Sequence, residues 1–227
     1  MTSVRTPFVA EEHGFRFVNR FDFSFRFRLP FTGPIDLGHV VYGLCGGMCF
    51  AALDYFHAGR AIPNHARRED LSPRYLRYLW DRQLDSLNLP VIPRVMEWML
   101  LEDAVIGELT AYREIPRVCG RLHQGLPTVV ALIRVQGLEG PTKNHQVLAT
   151  GYDLDVAAQQ FTLHVYDPNH PGQSPTLTFN LSQPWCGLHP TQSTGEPLRG
   201  FFVIAYAPSS PPQAEAERAA EGAALLA

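Results

Sequence analysis

The strongest constraint on this chain is a change of texture at Gly125. Beyond it come "PTVVALIRV", "HQVLATGYD", "QFTLHVYD", "PTLTFNL" and "GFFVIAYAP", short runs rich in β-branched and aromatic residues with turn residues between them. That is the pattern of consecutive strands. Before Gly125 the signals are helical. Ser72 followed by Pro73 opens a helix over 73–87, as a capping serine and a first-turn proline do. "PRVMEWMLL" predicts another over 93–101, and 115–123 a short one. Helices gathered first and strands afterwards predict an α+β fold with an antiparallel sheet.

The length, 227 residues, and a hydrophobic content of 45% suit one domain over 1–207. Residues 208–227 open with "PSSPPQ", become Ala- and Glu-rich, and are expected to form a flexible tail. Near the other end, residues 14–29 alternate phenylalanine with polar residues. Phe21, Phe23, Phe25 and Phe27 would share one face of an extended chain, and Asp22, Ser24, Arg26 and Arg28 the other. Half-burial of a strand or hairpin accounts for this more simply than base stacking on a nucleic acid.

A formal charge of -3 gives no overall electrostatic case for nucleic acid. No apolar stretch approaches the roughly 18 residues of a membrane span, and no secretion signal is visible. The expectation is a cytoplasmic protein with reduced thiols. Its four cysteines, Cys45, Cys49, Cys119 and Cys186, do not form paired CxxC knuckles, which argues against structural zinc. Cys119 and Cys186 read as packing residues, and Trp80, Met96, Trp98 and Met99 as core.

"YGLCGGMCFAALDYF" places Cys45 where a glycine-rich turn enters a helix so apolar that it must be buried on nearly all sides. A helix N-terminus favours the thiolate through its unpaired N–H groups and dipole. A thiolate nucleophile needs a histidine to pair with and a third group to orient that ring. His145 starts one strand and Asp167 ends the next, so a hairpin between the two strands would bring these residues together. Gly46 and Gly47 would let the backbone approach a substrate closely.

These segments resemble the papain-like cysteine peptidases. "CGGMCFAAL" is similar to the helix start of the bacterial peptidases that cleave double-glycine leaders, and "HQVLATGYD" with "VYDPNHPG" to that group's histidine and aspartate segments. The resemblance covers residues 43–56 and 128–173. It implies a thiol hydrolase of a peptide or amide bond, with Cys45 as nucleophile, His145 as base and acid, Asp167 as orienter, and no cofactor. It further implies a papain-like fold, the cysteine-bearing helix packed on the sheet. Residues 1–30 would be a β extension and 60–125 a helical insert. The same triad serves acyl transfer in transglutaminase-like relatives, and an inactive binding module would keep the fold without turnover.

Several alternatives stay open. Cys49, one helical turn on, can be aligned with the nucleophile of plant-type papains. Asn169 can orient an imidazole as a carboxylate does. The family's oxyanion glutamine has no counterpart between Phe31 and Leu44, and His39 stands at that spacing. His164, Asp167 and His170 could form a metal site, but no fourth ligand is specified, so no metal is expected.

Overall fold

The computed structural model describes residues 1–27, 35–138 and 140–213; between 22 and 42 only the backbone is described. The architecture is α+β, with an antiparallel sheet curled into a half-barrel. The strands are β1 (Thr2–Arg5), β4 (Thr128–Ile133), β5 (His145–Asp155), β6 (Gln160–Tyr166), β7 (Thr176–Asn180), β8 (Thr191–Gln192) and β9 (Gly200–Val203), in the order β8-β7-β6-β5-β4-β9. β5 organises the sheet. Its first half pairs with β4 (Leu132↔His145) and its second half with β1 (Arg5↔Gly151), so these two lie end to end along one edge. β6 takes the other edge. The second strand pair, β2 (Phe21–Phe27) and β3 (Ile35–Tyr42), forms a separate two-stranded sheet with an irregularity between Ser24 and Arg26. The side-chain alternation expected there lies outside the described residues.

Helix α2 (Cys45–His57) packs on the sheet and on α3 (Pro73–Ser86). Met48, Cys49, Phe50, Ala51, Ala52 and Leu53 have at most 1% of their surface exposed, which is why the helix has no polar stripe. The short helix α1 (Ala10–His13) touches it. α3 is capped by Ser72, whose Oγ accepts the Tyr75 N–H at 3.2 Å. α4 (Val91–Leu100) buries Trp98 and Met99, as expected of core residues, whereas Trp80 and Met96 are only half-buried. α5 (Asp103–Leu109) runs through a π-helical turn (Thr110–Glu114) into α6 (Ile115–His123). One apolar cluster lies under α2, and a second lies between α6 and the opposite face of the sheet.

The structure adds to and corrects the expectations. α1, α5 and β8 were not anticipated, since α1 and α5 are short and β8 has two residues; β1, within the expected β extension over 1–30, joins the main sheet by pairing with β5. Residues 208–213 do not begin a loose tail. Arg60 donates to the carbonyls of Pro211 and Pro212 at 2.8 and 2.7 Å, and Tyr55 Oη to that of Pro212 at 3.0 Å. Prolines cannot donate, but their carbonyls accept, and Tyr55 on α2 and Arg60 just after it hold them. Residues 214–227 lie outside the described part. Cys119 packs half-buried, but Cys186 is exposed rather than packed, on the turn before β8. Among the described residues, no helix is long and apolar enough to cross a membrane.

Candidate active site

Cys45 is the first residue of α2 and is half-buried. The N–H groups of a first helical turn have no intrahelical acceptor, and here other elements take them up. Leu44 N–H donates to Asn19 Oδ1 at 2.5 Å, and Gly47 N–H to Gln83 Oε1 on α3 at 2.8 Å. The two glycines serve packing rather than substrate approach. A Cβ on Gly46 would lie 2.1 Å from Ser86 Oγ and 2.5 Å from Gln146 Oε1, and one on Gly47 2.3 Å from the Leu79 carbonyl. Helix, neighbour and strand close around the cysteine because neither residue has a side chain.

The β5–β6 hairpin brings His145 and Asp167 together. His145 Nε2 lies 2.6 Å from Asp167 Oδ1, with 5% of the histidine and none of the aspartate exposed. With Nε2 committed to Asp167, Nδ1 is the nitrogen left for Cys45, which borders the same cavity as the ring and feels its charge. Asp167 is itself held: the Asn169 N–H donates to Oδ1 at 2.8 Å, and Gln192 Nε2 to Oδ2 at 3.3 Å.

The electrostatics favour an ion pair. Burial by itself disfavours both the thiolate and the imidazolium. For Cys45 that cost is outweighed by the charge and hydrogen bond of His145 and by the backbone N–H groups of Gln146 and Gly46, so its pKa is lowered. For His145 burial is outweighed by the charges of Cys45 and Asp167 and by hydrogen bonds to both, and its pKa rises to about 9. Asp167 stays ionised: His145 and the Asn169 N–H more than offset its burial.

The other candidates stand apart from this contact. Cys49 is fully buried, its Sγ facing the Gln146 carbonyl at 3.7 Å. Burial, then the charges of Cys45 and Asp167, push its thiol well above the ordinary range. Asn169 does not orient the imidazole; its Oδ1 accepts from Asn19 Nδ2 at 2.9 Å, while its main chain holds Asp167. His39 lies on β3 opposite Ser24, and its side chain is outside the described residues. His164 and His170 turn away from Asp167: their Nε2 atoms lie 2.6 Å from Asp153 Oδ2 and 2.5 Å from Glu196 Oε1. Among the described residues no three His, Cys, Asp or Glu side chains converge as metal ligands.

A cavity of about 280 Å³ opens beside Cys45 and His145. Asn19, Arg134 and Asn169 line it. Sequence reasoning missed Asn19, Arg134 and Gln192. Each is a single polar residue in an irregular stretch or at a strand edge, where no periodicity marks a role. Among known proteins, no family model, curated protein or solved structure matches the chain.

Proposed function

We propose that this protein is a thiol hydrolase of papain-like fold that cleaves a peptide or amide bond through Cys45. The observation that carries the reading is the buried His145–Asp167 pair beside Cys45 on one cavity, the thiol and the carboxyl biased towards their anions and the imidazole towards its cation. A thiolate held at neutral pH beside an imidazolium and an open cavity is the arrangement nucleophilic catalysis requires.

The Cys45 thiolate attacks the carbonyl carbon, forming a C–S bond while the carbonyl oxygen takes the electron pair. His145 gives its proton to the leaving nitrogen, the C–N bond breaks, and a thioester remains. Water then attacks with His145 taking its proton, the C–S bond breaks, and thiolate and acid are released. The oxyanion needs donors. The Cys45 N–H starts its helix without an intrahelical acceptor. Asn19, whose amide spends one N–H on Asn169 and borders the cavity, offers a second donor in place of the missing glutamine.

The test is labelling with iodoacetamide at neutral pH followed by peptide mapping, then incubation with a peptide library read by mass spectrometry. Rapid labelling at Cys45 that slows at least 10²-fold in His145→Ala, with cleavage lost in Cys45→Ala, is the expected result. Slow labelling indifferent to His145 would leave a binding module with this fold. Rapid labelling with transfer to an added amine and no hydrolysis would indicate an acyltransferase.

A further inference from the structure

The cavity beside Cys45 is charged in a one-sided way. Among the described residues that line it, the titratable groups are Cys45, His145, Arg134 and Lys143, and none is a carboxylate. The thiolate and imidazolium offset each other, so two cations remain. Arg134 follows the last residue of β4, two positions beyond the Leu132↔His145 pair. Lys143 stands two residues before His145 and is exposed. The two cations therefore approach the reacting centre from the two ends of the β4–β5 connection.

Arg134 is anchored but not saturated. Its backbone N–H donates to Asn144 Oδ1 at 2.9 Å and its Nη2 to Gln192 Oε1 at 2.9 Å. Its Nε is buried without a partner. A guanidinium carries five N–H donors in a planar fork suited to a carboxylate. Burial disfavours its charge, and the negative groups that sustain it are Asp167, Glu196 and Cys45 itself. Asp167 and Glu196 do not line the cavity, and both are engaged elsewhere, Asp167 by His145 and Gln192, Glu196 by His170 and Thr194. The cavity wall contributed by Leu87 of α3–α4 and Val95 of α4 is apolar. An anionic group entering next to Cys45 thus meets two cations on one side and hydrocarbon on the other.

We infer that the substrate carries a carboxylate beside the bond to be cleaved, and that Arg134 and Lys143 bind it. The inference rests on Cys45 being the reactive thiolate. The carboxylate is either an acidic side chain or a free chain terminus, since the two present the same chemistry to a guanidinium.

The experiment compares alkylation of Cys45 by iodoacetate, an anion, and by iodoacetamide, its neutral counterpart. The ratio of the two rates reads the field of the cavity and cancels general effects on the thiolate. Lys143→Glu, at an exposed position, is expected to lower the ratio about fivefold, and Arg134→Gln about tenfold, as charges at this range act through a screened, partly aqueous path. Ratios unchanged in both variants, with rapid iodoacetamide labelling, overturn the inference and leave the thiol hydrolase intact. Slow iodoacetamide labelling of the unaltered protein sinks both. N-acetyl-aspartyl amide and N-acetyl-glycyl-glycine, each added as a protectant against iodoacetamide, separate the two carboxylate sources. Protection by either in excess of N-acetyl-asparaginyl amide supports the inference, and equal protection by all three counts against it.

Discussion

Helix α2 carries an ionisable group near each end, half-buried Cys45 and buried Asp54, and their surroundings differ. Asp54 is enclosed and its acceptors are used: Oδ1 takes bonds from Arg82 Nη2 at 3.2 Å, Tyr206 Oη at 2.6 Å and the Ser209 N–H at 2.9 Å, and Oδ2 one from Tyr78 Oη at 2.6 Å. Those bonds tie α2 to α3 and to the chain after β9. Cys45 instead faces a cavity, with an unpaired Gln146 Oε1 and Arg134 Nε nearby. A buried charge whose partners are complete holds the fold together; one left beside open space with a titratable partner is available for chemistry. The difference lies in the neighbours, since both groups sit on one apolar helix.

If that contrast is right, the two ends fail in different ways when altered. Asp54→Ala should cost about 3–5 kcal/mol of folding stability, because it leaves the buried Arg82 with only the exposed Asp85 as counter-charge. Chemical denaturation measures this, and a loss under 1 kcal/mol would mean the network is idle. Gly46→Ala puts a methyl where Ser86 Oγ and Gln146 Oε1 already sit, for about 1–3 kcal/mol and a displaced Cys45. Thermal melts alongside alkylation rates test both effects.

The pH profile sharpens the comparison from the Cys45 side. As pH rises through the lowered Cys45 pKa the thiol ionises, while His145 keeps its proton up to about 9. Iodoacetamide labelling should therefore form a plateau across neutral pH. At pH 6.5 it should run about tenfold or more above a free thiol of ordinary pKa. A rate still climbing through pH 8.5 would mean no ion pair exists. Gln192→Leu removes the donor to Asp167 Oδ2 at similar volume, and a loss of about three- to tenfold in labelling rate is expected with little change in melting. Cys49→Ala should leave labelling within about twofold, since the Cys49 thiol is buried and held protonated.

Much of the architecture could be read from local pattern. The unbroken apolar run after Cys45 required burial on all sides, and α2 is buried so. The strand signals after Gly125 appear as β4, β5, β6, β7 and β9 in one antiparallel sheet. The adjacency of His145 and Asp167 followed from their places at opposite ends of consecutive strands. What escaped had no period to announce it. Asn19 is a lone amide inside the stretch 14–29 whose alternation announced only a strand, and that strand begins at Phe21. Gln192 belongs to a two-residue strand, and Arg134 could not be told from a solvent-facing arginine. The glycines misled, because the same absence of a side chain serves a substrate or a neighbouring helix equally well.

The sequence by itself determined the longer helices and strands and that Cys45 heads a buried helix, because those outcomes follow from spacing and propensity along the chain. Only the tertiary structure decided that Cys45 rather than Cys49 shares a cavity with the imidazole, that Asp167 rather than Asn169 holds it, and that two cations line the cavity. Those outcomes depend on which side chains from distant segments share a space a few ångströms across, and no pattern along a chain encodes that distance.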